Sequence, residues 1–115
     1  MAGAVQPRDR RLNEGWQFRE VYRLGNSFQG KLMSLVSLAR PEEHARVGYV
    51  ASRKVGGAVR RNRAKRLLRE AHRSMEPGIR EHAVWRIWIA RAACSAATLA
   101  DVRAEMIQLL GRESH

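Results

Sequence analysis

At 115 residues the chain can build one hydrophobic core and is too short for two independent ones. Its residues are 44% hydrophobic and 29% charged, which is globular in composition, and no apolar run approaches the roughly 18 residues of a membrane span. The formal net charge of +11 and the isoelectric point of about 11.4 speak about partners more than fold, and they point to a polyphosphate, a nucleic acid or an anionic membrane.

The first eleven residues are polar, carry Pro7 and four charges, and read as a loose basic arm without the apolar middle of a secretory signal. Residues 13–25, NEGWQFREVYRLG, predict a short helix: Asn13 can cap it, Glu14 stands in the first turn, and Gly25 stops it. Phe18, Val21 and Tyr22 recur along it at helical spacing. Residues 31–39, KLMSLVSLA, predict a strand. Residues 46–52, RVGYVAS, alternate with period two and predict another, with RPEEHA as a turn between them. The simplest pairing of these two runs is a hairpin.

Gly56 and Gly57 break the strand and lead into a long helix over 57–75, which Pro77 and Gly78 end. Residues 83–91, AVWRIWIAR, are β-branched and aromatic and predict a third strand. The last helix covers 98–110: Thr98 caps it, Asp101 takes the capping-box position, and Gly111 closes it. Its apolar stripe is Leu99, Val102, Met106, Leu109 and Leu110, and the tail beyond reads as frayed. Size argues against three layers, so the order helix, strands, helix, strand, helix predicts a small single-domain α+β sandwich. Cys94 has no partner for an intrachain disulfide; it fits a reducing cytoplasm and reads as a small buried hydrophobe.

The charge is concentrated. Residues 53–73 carry nine Lys or Arg and one acid, which leaves a net of only +3 for the rest of the chain. On a helical wheel Ala64, Leu67, Leu68, Ala71 and Met75 form a packing stripe, and Asn62, Lys65, Arg66, Arg69 and Arg73 form an opposite rail about 16 Å long. Arg61 and Arg63 flank its start. A solvated face would carry acidic partners at i±4, but Glu70 is the one acid here and lies off the rail. Arg outnumbers Lys six to one over residues 59–73, and the planar guanidinium suits phosphate oxygens and bases. A membrane reading needs an insertable apolar face, whereas here that face is needed for the core. The two glycines before the helix offer a weak phosphate cradle that matches neither the P-loop nor the dinucleotide fingerprint.

No catalytic set stands out. The carboxylates are scattered, and His44, His72, His82 and His115 have no metal-ligand spacing with one another or with Cys94. His72 rides on the basic helix, which suggests a surface or phosphate-contact role. From residues alone the chain is a cytoplasmic nucleic-acid-binding domain.

Residues 46–73 closely resemble the protein subunit of bacterial ribonuclease P. The signature stands as Arg61-Asn62-Arg63-Ala64-Lys65-Arg66-Leu67-Leu68-Arg69, preceded by Val47-Gly48, Ser52-Arg53-Lys54 and Gly56. Weaker likeness extends over Arg11-Leu12, Phe18 through Tyr22 to Gly25, and Ile89-Ala90-Arg91. The resemblance implies a sandwich of the ribosomal protein S5 domain 2 type with a left-handed βαβ crossover and an extra strand near Ser27 to Gly30. It implies that an RNA subunit, with Mg2+ held by that RNA and none by the protein, removes the 5′ leader of precursor tRNA. The partners would be the catalytic RNA and precursor tRNA, with no membrane and no protein partner required. By this likeness Arg53, Lys54, Arg61, Asn62, Arg63, Lys65, Arg66, Arg69 and Arg73 lie against the catalytic RNA. Phe18, Tyr22, Ser34, Val36 and Arg91 line a groove for the leader, with the two aromatics as a stacking surface. Ser34 and Val36 stand where the family often places another aromatic, and Ala92-Ala93 where it often has a base. Of Trp85 and Trp88, one is expected to pack and the other to face the groove or solvent. The competing readings are a ribosomal-type binder of structured RNA and a DNA-coating protein.

Overall fold

Residues 84–90, VWRIWIA, are apolar on both sides of the strand, so they need cover on both faces and a neighbour on each edge. The computed structural model, which describes residues 10–75 and 83–114, supplies both. Five strands, β1 (Arg10–Arg11), β2 (Asn26–Gln29), β3 (Met33–Ala39), β4 (Arg46–Ala51) and β5 (Val84–Ala90), form one sheet in the order β1-β4-β5-β3-β2. Three helices accompany them: α1 (Gly15–Leu24), α2 (Ala58–Met75) and α3 (Leu99–Glu113). Short 3₁₀ helices cover Arg53–Val55 and Ala92–Ala96. The expected loose arm lies largely outside the described residues, as do the Pro77–Gly78 stop, His82 and His115. Its last two residues, Arg10 and Arg11, are pinned as a parallel edge strand against Arg46 and Val47.

The expected hairpin between residues 31–39 and 46–52 does not form. β5 lies between those strands, antiparallel to β3 and parallel to β4, because its two apolar faces make it the central strand. The hairpin is β2–β3, with Ser27 opposite Val36 and Gln29 opposite Ser34. β4 and β5 are thus joined in parallel through α2, the βαβ unit that the resemblance implies.

Side-chain alternation sends the two faces of the sheet to two cores. Met33, Leu35, Val47, Trp88 and Ala90 meet Ala64, Leu68 and Ala71 of α2 and Val102, Met106 and Leu109 of α3, all of them buried. On the other face Val36, Trp85 and Ile87 meet Leu12 and Val21 of α1. The sheet is therefore covered on both faces, although the chain length argued against three layers: one ten-residue helix suffices for the second cover. Trp85 and Trp88, expected to divide between core and surface, are both buried, one on each face. Trp88 donates from Nε1 to Nδ1 of His72 over 3.1 Å, and Trp85 donates from Nε1 to the His44 carbonyl over 3.0 Å.

The caps differ from expectation in two places. Glu14, not Asn13, is the N-cap of α1, and the Gln17 Oε1 accepts from both of their backbone N–H groups, at 2.9 and 3.1 Å. Gly111 does not close α3, which runs on to Glu113. Glu113 is held there by buried Arg86, whose Nε and Nη2 donate to its two carboxylate oxygens at 2.8 and 2.6 Å. Gly25 does end α1, for want of room and not for a left-handed turn: a Cβ there would stand 2.5 Å from the Val21 carbonyl oxygen and 2.6 Å from that of Ser37. Thr98 caps α3 as expected, its Oγ1 accepting from the Asp101 N–H at 3.1 Å.

Candidate nucleic-acid interface

α2 is built from its apolar stripe outward. Ala64, Leu68 and Ala71 are buried, Leu67 and Met75 partly so, and the opposite side carries Asn62, Lys65, Arg66, Arg69 and Arg73. Asn62, Arg66 and Arg73 are exposed, while Lys65 and Arg69 are half-buried. Among the described residues no cation of α2 is paired with a carboxylate; the ion pairs join Glu20 to Arg23 and Arg40, and Glu113 to Arg86. Like charges at i, i+3 and i+4 repel one another along the helix, so the rail invites an external anion.

Two of the expected contacts are partly committed to the fold. Arg63 donates from Nε to the Ser95 carbonyl over 2.7 Å, which ties α2 to the turn after β5. The Arg69 guanidinium lies 5.7 Å from the Tyr49 ring centre, with Arg11 at 5.2 Å from the same ring, and Arg69 Nε is buried with no hydrogen-bond partner. These contacts extend the basic surface from α2 across Tyr49 to β1. Arg53 and Lys54 are exposed where β4 turns into α2; Ser52 caps that turn, accepting from the Lys54 N–H at 3.3 Å. Gly56 closes it at φ 136°, a conformation that only glycine adopts freely. The surface role expected for His72 is not met: it is fully buried beneath α2 and accepts from Trp88.

The second feature lies on the other face of the sheet. The register aligns Ser34, Ile89 and Val50 in one row, Val36, Ile87 and Gly48 in the next, and Leu38, Trp85 and Arg46 in a third. α1 covers the last two. Phe18 packs directly over Gly48, where an added Cβ would stand 2.8 Å from its ring, and Val21 is fully buried. Trp16 rests against Trp85 with ring centres 5.9 Å apart, and Glu20 reaches Arg40 at 3.4 Å, both toward the third row. On the helical wheel Phe18 and Tyr22 share the flank of α1 opposite Trp16 and Glu20, and the first row, Ser34, Ile89 and Val50, is half-buried. Tyr22 is 48% exposed, and partial burial raises its phenol above the ordinary value, so it stays a neutral donor.

Arg91 closes the end of this row. Its Nη1 donates to the Gln29 Oε1 at 3.0 Å and to the Gly30 carbonyl at 3.1 Å, and Ser34 Oγ bonds the same Oε1 at 3.3 Å. The structure thus links Ser34 and Arg91 through Gln29, while Phe18 packs over Gly48 and Tyr22 stands exposed one turn further along α1. Val36 is buried beneath α1. Gln29, Ile89 and Val50 lie in register with Ser34, and the sequence reading passed over them; the alternation of β5 beyond Trp85 and Ile87 could have found Ile89. α1 and α2 pack on opposite faces of the sheet. Among the described residues no group of three or more His, Cys, Asp or Glu could hold a metal ion, and no helix is long and apolar enough to cross a membrane.

A family model for ribonuclease P matches residues 6–114. The ribonuclease P protein component of Alkaliphilus metalliredigens is 33% identical over 101 residues, covering 87% of this chain and 89% of that one. That of Dehalococcoides mccartyi strain CBDB1 is 38% identical over 103 residues, covering 89% and 82%. Among solved structures, the RNase P protein of Thermotoga maritima superposes with a TM-score of 0.76 at 28% identity, over 89% of this chain and 96% of that one. An RNase P protein structure from Staphylococcus aureus gives 0.77 at 25% identity, over 90% and 94%.

Proposed function

The chain belongs to the ribonuclease P protein family, and on that premise we propose that it docks through α2 on a catalytic RNA and holds the 5′ leader of precursor tRNA in the groove beside α1. The observation that carries this reading is the pairing of two unlike surfaces on one small sheet. One is a rail of arginines with no acidic partner among the described residues, suited to a folded polyanion. The other is an aromatic-lined cleft with a single arginine at its end, suited to a few unpaired nucleotides. A general binder of structured RNA needs the first surface only.

In this reading the RNA is the catalyst and holds the Mg2+ that supplies charge to the reacting phosphate. The protein contributes Arg53, Lys54, Arg61, Asn62, Arg63, Lys65, Arg66, Arg69 and Arg73 as docking contacts. Phe18 and Tyr22 stack on leader bases, Ser34 supplies a hydroxyl, and Arg91 takes a leader phosphate.

The test compares binding of leader-bearing and mature tRNA by the complex of this protein with its genomically matched RNA. Leader-bearing tRNA should bind more tightly, and Phe18→Ala or Tyr22→Ala should each remove about 1–3 kcal/mol of that advantage. Equal loss for mature tRNA would assign the groove to the RNA subunit instead.

A further inference from the structure

Gln29 stands at the mouth of the groove with half of its amide already committed. Its Oε1 faces Arg91 Nη1 at 3.0 Å and Ser34 Oγ at 3.3 Å. Arginine carries donors and no acceptor, so the amide atom that faces it is oxygen. The Nε2 group is left with two donors, and no described residue accepts from them. The backbone cannot drift: Arg112 donates from Nη1 to the Gln29 carbonyl over 2.9 Å, and the residue pairs with Ser34 in the β2–β3 ladder. The side chain is exposed and lies on the same face of the sheet as Ser34, Ile89 and Phe18.

We propose that Gln29 is a specificity residue that reads one leader nucleotide, its amide N–H group donating to a keto oxygen on the base edge. This inference rests on the leader reading above. A free glutamine would adapt to either pattern by rotating its amide, since it offers an acceptor and a donor. Gln29 cannot rotate without setting its N–H group against Arg91. It therefore donates to O4 of uracil or O6 of guanine and meets donor against donor at N4 of cytosine or N6 of adenine. The chemistry selects keto bases over amino bases at one position, whatever the ring size.

The experiment measures binding of precursor tRNAs by the assembled holoenzyme, each leader position in turn carrying U, C, G or A. At one position U and G should bind about three- to tenfold more tightly than C and A, the size of one net hydrogen bond. Gln29→Ala should abolish that preference. Gln29→Glu keeps an oxygen for Arg91 and turns an acceptor to the base, so the preference should invert toward C and A; loss of folding or of groove shape produces no inversion. Circular dichroism of both variants checks that the fold is intact. A wild-type holoenzyme that favours leader-bearing tRNA yet shows no keto preference, or keeps it in Gln29→Ala, overturns the role of Gln29 alone. A holoenzyme that binds leader-bearing and mature tRNA equally overturns the leader reading, and this inference falls with it.

Discussion

Gly48 determines where Phe18 can lie. A methyl group there would stand 2.8 Å from the Phe18 ring and 3.2 Å from Leu12 Cδ1. Gly48→Ala should cost about 1–3 kcal/mol of stability, as overpacking does, and should weaken leader binding by lifting Phe18; urea denaturation and leader-bearing tRNA binding check the two effects together. Cys94 is a different kind of residue. Burial, and then the nearby Glu105 carboxylate, push its thiol up to about 11. A raised thiol means that the folded state holds a proton which the unfolded state gives up near pH 9. That contribution to stability is complete at neutral pH and is lost as pH rises toward 11. Cys94→Ala should flatten the alkaline limb of a stability profile, and the native thiol should resist alkylation at pH 8. The place of Cys94 was legible from the sequence, because free cysteine is usually buried. That of His72 was not: its position on the wheel borders both faces of α2, and in the fold it turns inward, against Tyr49 and accepting from the Trp88 indole.

At the scale of elements, α2 was the most legible part of the chain, because its apolar and cationic residues separate cleanly at helical spacing. The strands were less so. Residues 31–39 and 46–51 each carry a valid strand pattern, but local pattern says nothing about which strand lies between them. The signal lay in β5, whose two apolar faces mark it as central. The pattern of β2 alone reads as loop, because NSFQ has one large apolar residue in four, and only the family resemblance implied a strand there. The rail itself yields an element-level prediction. Lys65→Ala and Arg66→Ala should each lower the slope of log K against log salt by about one for RNA binding, with the folded stability unchanged. Arg63→Ala should lower the slope and the melting temperature together, because its Nε bond to Ser95 also fastens α2 to the turn after β5. The C-terminal helix is fastened by another device. Glu113→Gln should cost about 3 kcal/mol in urea denaturation, since it leaves the buried Arg86 guanidinium without its charge partner.

On the scale of the whole molecule, most of the net charge of +11 is concentrated in α2 and the turn before it, on one face of the sheet, while α1 covers the other face. The proposed docking surface and the proposed leader groove share no side chain. Substitutions in the groove and on the rail should therefore add in binding free energy within about 0.5 kcal/mol. That division was only half visible in the sequence. The motif at 61–69 marked the rail, but the groove depends on cross-strand register, which places Gln29, Ser34 and Ile89 side by side from three separate segments. The most direct test is accurate 5′-end cleavage of a precursor tRNA by the matched RNA subunit at limiting Mg2+. The RNA is assayed alone, with this protein, and with the Lys65→Ala/Arg66→Ala variant. Full cleavage with the wild-type protein, and much less with the variant, is the predicted result. A wild-type protein that binds the RNA and leaves cleavage unchanged would contradict the account, and would leave a rail that docks on RNA without serving its reaction.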